Sequence, residues 1–163
     1  MVKPELRLNL LGAPQVFLNG TPVTGFVSKK AQALLFYLAE TQQPHTRQSL
    51  AALLWPEMPE TTARTNLRKA LSNLRRLFPD HLLISRHTAA FNPDSHFCLD
   101  SRQFEHQLDC FQAETRLKSE NFEDLATALA LYRGDFLAGF SAAALPFEEW
   151  MLARRGQLHE LAV

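Results

Sequence analysis

The stretch "ARTNLRKALSNLRRLF", Ala63 to Phe78, holds five of the chain's seventeen Lys and Arg and no acid. From Pro59 to Asp80, Glu60 is the only negative residue before Asp80 itself. Guanidinium and ammonium groups are cationic donors, while amides and hydroxyls both donate and accept. That is the chemistry of reading nucleic acid. Arg and Lys donate to guanine O6 and N7, and Asn pairs bidentately with adenine. A cation beside a phosphate releases counterions and adds salt-sensitive affinity.

Spacing decides whether these groups can act together. At about 100° per residue from Leu67, Ala63, Ala70, Leu71, Leu74 and Phe78 fall within about 60° of it, with Leu77 slightly beyond. This predicts an amphipathic helix over Glu60–Phe78 with one buried stripe. Opposite the stripe lie Thr65, Lys69, Ser72, Asn73 and Arg76, the expected base-reading face. Arg68 and Arg75 flank one edge and Asn66 the other, while Arg64 sits closer to the stripe. Arg64, Arg68 and Arg75 are therefore candidates for phosphates. A merely solvated face is the competing reading, but such faces usually intersperse acids for i,i+4 pairing and solubility. None occurs from Thr61 to Pro79.

A helix enters a groove only if other elements hold it there. "LRLNLLG" alternates Leu6, Leu8 and Leu10 with polar residues, as a half-buried strand does. Asn19-Gly20 between two apolar runs signals a type I′ hairpin, so a small antiparallel sheet of three short strands opens the chain. Ser28 is an N-cap for "KKAQALLFYLAE", in which Ala31, Leu34, Leu35 and Leu38 share one face. Thr46 caps "RQSLAALLW", which Pro56 stops near Trp55. After the basic helix, "HLLISR" and "AAFNP" form a second hairpin around Arg86–Ala89. A helix pair, Arg47–Trp55 then Glu60–Phe78, followed by a hairpin is a winged helix-turn-helix layout. In it the helix starts near Ser28, Lys29 and Lys30, and near Thr46 and Arg47, face phosphates. Arg86 and His87 at the hairpin tip reach a neighbouring groove or phosphate.

From Asp100 onward the pattern is helical throughout: "SRQFEHQLDCFQAE", "NFEDLATALALYRG" and "PFEEWMLARRGQLHELAV". Ala126, Ala128 and Ala130 suit close helix packing. Gly134 is expected to terminate the second of these helices, and Gly139 to sit in the loop after it. The charges divide at the same place. Residues 1–99 carry 11 basic and 6 acidic side chains, net +5, and residues 100–163 carry 6 basic and 11 acidic, net −5. Neutral overall, the chain reads as a basic domain over 1–99 and an acidic helical one over 100–163. The last helix runs to Val163 without a stop signal, so the second domain reads as truncated.

Other chemistries find no footing. The six glycines make no phosphate-binding loop. "GFSAA" has Ala where a nucleophile elbow needs Gly, and "HELAV" lacks the second His of a zinc helix. The remaining His and the two Cys, Cys98 and Cys110, are scattered, so free thiols are expected, with no metal, no cofactor and no catalysis. Charges at Lys3, Glu5 and Arg7 rule out a secretory signal, and no apolar run reaches membrane-spanning length. The expected location is the cytoplasm.

"LRLNLLGAPQVFLNGTPV", "SKKAQALLFYLA", "TRQSLAALLWPE", "ARTNLRKALSNLRRLF" and "GDFLAGF…FEEWMLARRGQL", in this order, resemble the SARP-type bacterial transcriptional regulators. The resemblance spans essentially the whole chain. It implies an α+β fold: an OmpR/PhoB-like winged helix, then the start of an all-α, tetratricopeptide-like bacterial transcriptional activator domain. It also implies binding of double-stranded DNA at promoter direct repeats, including as a homodimer, and activation through RNA polymerase. In related winged helices the loop before the recognition helix touches polymerase. Here that loop is "PEMPE", with Glu57, Met58 and Glu60 as contacts, although Glu60 equally suits the first turn of a helix by its dipole. Two departures stand out: the wing "SRHTAAFNP" lacks the family's Gly beside an aromatic, Phe91 filling the aromatic place, and the helical domain stops short of the usual array. Glu148, Glu149 and Trp150 read as packing and surface residues. The reading from another class is a protein–protein adaptor, whose helical half docks a partner while the basic helix is only solvated.

Overall fold

The computed structural model describes residues 4–116 and 122–163. Lys3, and Asn121 at the head of the second acidic-half run, lie outside the described residues. Strand β1 (Leu6–Asn9) buries Leu6 and Leu8 and exposes Arg7, as its alternation requires. It pairs antiparallel with β2 (Gln15–Leu18), and β3 (Thr21–Pro22) follows. Asn19 (φ 52°) and Gly20 (φ 81°) both take the left-handed conformation that joins β2 to β3. A fourth strand, β7 (Phe97–Leu99), lies parallel to β1, giving the order β3-β2-β1-β7. This strand is absent from the sequence reading. "FCL" is three residues long, and its partner lies about ninety residues back, where no local pattern reports it.

Helix α1 (Lys29–Thr41) starts on Ser28, whose hydroxyl accepts from the Ala31 N–H. Helix α2 (Arg47–Leu54) starts on Thr46, which accepts from Ser49, and ends before Pro56. Helix α3 (Glu60–Leu77) buries Ala63, Leu67, Ala70, Leu71 and Leu74 against α1 and α2, with Phe78 closing its end. Each such Leu contributes about 1.5–3 kcal/mol when fully buried. The hairpin of β5 (Leu82–Ile84) and β6 (Thr88–Phe91) follows. Strand β4 (His45–Thr46), a second addition to the sequence reading, joins it in the order β4-β6-β5.

The acidic half supplies α4 (Asp100–Arg116), α5 (Phe122–Leu131) and α6 (Leu145–Ala162). Helix α5 ends at Leu131, so Gly134 is not its left-handed terminator. Gly134 instead lets two backbones meet, because a Cβ there would lie 3.3 Å from the Cα of Gly12. The adjoining chain pairs with the end of the first sheet: Leu137 N–H donates to Leu10 O, and Gly12 N–H to Asp135 O.

Buried residues before and after Asp100 form one continuous core, in which Leu8, Leu34, Leu71, Phe104, Phe136 and Phe147 all take part. Trp150 meets Tyr37, Phe136 and Phe147 with ring centroids 4.9, 5.8 and 5.4 Å away. Buried Asp100 accepts from the N–H groups of Leu10 and Leu11 at 2.7 and 2.9 Å. Glu40, at the buried end of α1, accepts from Ser101 Oγ on α4 and Arg154 Nε on α6, each at 2.7 Å. Arg154 also holds Glu105. No helix among the described residues is long and apolar enough to cross a membrane.

Candidate nucleic-acid interface

Helix α3 packs one side on α1, α2 and β5 and turns the other to solvent. Thr65, Lys69, Ser72 and Arg76 are all exposed on that outer side, two turns or more of contiguous polar surface. Arg64, Arg68 and Arg75 are exposed beside them. Among the described residues Arg68, Lys69 and Arg76 have no ion pair and no hydrogen-bond partner, so their donors are available. Arg64 pairs with Glu60 at 2.8 Å along the exposed helix surface, a bond worth a few tenths of a kcal/mol and easily exchanged for another anion. Thr65 Oγ donates back to Thr61 O, which leaves its lone pairs free. Thr61 and Thr62, exposed in the first turn of α3, extend the same side and were missed in the sequence reading. The helix wheel puts both opposite Leu67, and that signal could have found them.

Asn73 departs from the expected face. It is 5% exposed, its Oδ1 accepts from the Val27 N–H at 2.9 Å, and its Nδ2 donates to Gly25 O at 3.0 Å. The segment before α1 runs across this edge of α3, and both ends of the amide are spent on its backbone. An Asn73→Ala variant is therefore expected to lose about 1–3 kcal/mol of stability, because it strands two backbone groups. Urea denaturation measures that loss, and duplex binding by the folded fraction should be unchanged.

The two helix starts expected to face phosphates are also partly committed. Ser28 and Thr46 use their hydroxyl oxygens as caps. Lys29 is exposed, but Lys30 turns inward, donating to Leu54 O at 2.7 Å with Nζ 5.6 Å above the Trp55 ring. Lys30 is thus corrected from a phosphate candidate to a tether between α1 and α2. Its ammonium pairs with a carbonyl left open at the end of α2, which the local sequence could not show. Arg47 directs Nε and Nη2 to Ser85 O at 3.0 and 2.8 Å, and Arg75 reaches Ile84 O at 3.3 Å.

Arg86 and His87 are exposed at the β5–β6 turn. Between that turn, the start of α2 and the first half of α3 lies a concavity of about 660 Å³, lined by Thr46, Arg47, Gln48, Arg64, Leu67, Arg68, Arg86 and His87. Four arginines and no acid border it. A second groove, of about 290 Å³, lies where α2, the loop after it and the start of α3 meet, and Ala51, Trp55, Pro56, Met58 and Glu60 are among the residues lining it. In that loop Glu57 is exposed and Met58 is 48% exposed.

No protein-family model matches the chain. The chain is 33% identical over 76 residues to the transcriptional regulatory protein EmbR of Mycobacterium bovis, and equally to that of Mycobacterium tuberculosis. The matched stretch covers 47% of this chain and 20% of EmbR. In three dimensions the chain superposes on Mycobacterium tuberculosis EmbR, solved in complex with a low-affinity phosphopeptide, with a TM-score of 0.74 and 23% identity. That likeness, which is one of fold, covers 98% of this chain and 44% of the EmbR chain. The α+β architecture described above, two small sheets with six helices among the described residues, matches that of the EmbR structure. Both likenesses fall on EmbR, a SARP-family transcriptional regulator, and they bear out the SARP-type resemblance read from the sequence.

Proposed function

We propose that this chain is the DNA-binding part of a transcriptional regulator, a winged helix-turn-helix over 1–99 joined to the start of a tetratricopeptide-like activator domain over 100–163. Helix α2, the Pro56–Glu60 loop and α3 form the helix-turn-helix, and α3 lies in the major groove. Thr65, Lys69, Ser72 and Arg76 face base edges there, with Thr61 and Thr62 at the entering end. Arg64 and Arg68 take flanking phosphates. The β5–β6 hairpin is the wing, and its Arg86 and His87 meet the backbone beyond. The sites are promoter direct repeats bound by two copies. Glu57, Met58 and the groove behind them meet RNA polymerase.

One observation carries this reading: the cationic outer side of α3 stands open to solvent, and among the described residues none of its charges is paired with the protein's own acidic half. Binding to random-sequence duplex across salt concentration tests it. Each phosphate neutralised contributes about −0.9 to the slope of log K against log salt. With Arg64, Arg68 and Arg86 on phosphates, the slope should be about −2.7 or steeper. Weak binding that is flat in salt would leave the adaptor role as the better account.

A further inference from the structure

We infer that Arg47 is a positioning residue for the wing, not a phosphate ligand, with Arg75 as a second tether. The inference rests on the DNA-binding reading above and concerns what holds its parts in register. The β5–β6 turn contains neither Gly nor Pro, so its shape must come from contacts. Part of it is internal: Ser85 N–H donates to Thr88 O at 2.9 Å, and Ser85 Oγ accepts from the Thr88 N–H at 3.0 Å. The rest comes from outside. Arg47 N–H donates to His87 O at 2.9 Å, and its guanidinium places two donors on Ser85 O at 3.0 and 2.8 Å. Arg75 takes Ile84 O at 3.3 Å. Three carbonyls around the turn are thereby tied to the first residue of α2 and the last turns of α3.

A guanidinium spends its paired Nε/Nη2 edge only once. With that edge on a carbonyl, Arg47 cannot also grip a phosphate side-on. The fork instead sets where Arg86 and His87 stand relative to Arg64 and Arg68 across the concavity. It supplies rigidity at a turn that lacks the family's glycine. Charge alone does not suffice for this, because lysine carries the charge without a planar fork.

Arg47→Lys and Arg47→Ala, made in the whole chain and checked for folding by circular dichroism, separate the two roles. The first readout needs no DNA. Amide exchange at Ser85 and Thr88 should quicken about ten- to a hundredfold in both variants, the worth of a charged hydrogen bond to a carbonyl. The second readout is duplex affinity across salt. Both variants should bind more weakly with the wild-type slope, whereas Arg68→Ala should flatten the slope by about 0.9. The inference is overturned if exchange at the turn is unchanged in Arg47→Lys. It is equally overturned if Arg47→Ala flattens the slope by about 0.9 while Arg47→Lys restores it. Should wild-type protein show no salt-sensitive binding, the functional reading fails, and the exchange measurement still decides what Arg47 does.

Discussion

Arg154→Met is expected to lower the stability of the folded chain by about 3–5 kcal/mol. Glu40 is 6% exposed, and its carboxylate has two side-chain partners, Ser101 and Arg154, each at 2.7 Å. Removing the cation leaves a carboxylate in the core with one neutral hydroxyl, and desolvation of the charge is then uncompensated. Against a total of about 5–15 kcal/mol, such a loss brings the chain near its folding threshold. Guanidinium chloride titration measures it. The double variant Glu40→Met/Arg154→Met should recover most of the loss, since apolar replacement of a whole buried pair is often neutral. If the single and double variants are equally unstable, the charge pair is not the source.

The same site predicts a pH dependence. Burial already raises the Glu40 carboxyl above the usual range, with Arg154 and the Ser101 bond pulling the other way. Without Arg154 the rise is larger. A carboxyl whose folded pKa exceeds its unfolded one favours folding when protonated. That advantage is lost as pH climbs from about 4.3, the ordinary Glu value, through the raised folded value. The Arg154→Met deficit should therefore be greatest at neutral pH and shrink on acidification within that window. The mechanical consequence matters more. Glu40 lies in the last turn of α1, α1 supports α3, and Ser101 and Arg154 belong to α4 and α6. Beside the shared apolar core, this buried charge pair thus ties the acidic half to the scaffold of the basic helix.

Much of this architecture was legible in the residues because it is written locally. Ser28, Thr46 and Pro56 mark helix ends by their own side chains and rings, and Asn19-Gly20 marks a turn by the φ angles it tolerates. The 3.6-residue spacing of Leu67, Leu71 and Leu74 named the buried side of α3. What was not legible depends on partners remote in sequence. Asn73 lies about 240° round the wheel from Leu67, which is outward on an isolated helix. The Gly25–Val27 segment, some 46 residues back in the chain, covers that edge. Lys30 read as a free cation until the end of α2 offered it a carbonyl. Strand β7, paired across the sheet with β1, and the bond from Glu40 to Arg154 across 114 residues are of the same kind. A wheel reports direction relative to its own axis, and it cannot report which neighbour arrives.

Of the outward residues, Lys69 and Arg76 should carry the largest share of binding. They are seven positions apart, so on α3 they stand about 10.5 Å from one another along one line, within the reach of a single groove face. Each is exposed, and neither has a partner among the described residues, so truncation disturbs nothing inside the protein. Folding stability should stay within about 0.5 kcal/mol of wild type in either single variant. Duplex binding should not. If each side chain donates to a base edge, Lys69→Ala and Arg76→Ala each cost about 1–3 kcal/mol. Their separation makes the losses nearly additive, so the double variant should bind its preferred duplex roughly 30- to 10⁴-fold more weakly. The comparison with random duplex locates the contact. A residue that reads bases loses preference along with affinity, whereas one on a phosphate weakens every sequence alike and flattens the salt slope. Fluorescence anisotropy on the two duplexes, with circular dichroism as the control, separates these outcomes. A double variant that binds both duplexes as tightly as wild type would place the DNA on another face, and α3 would then be no more than a solvated helix.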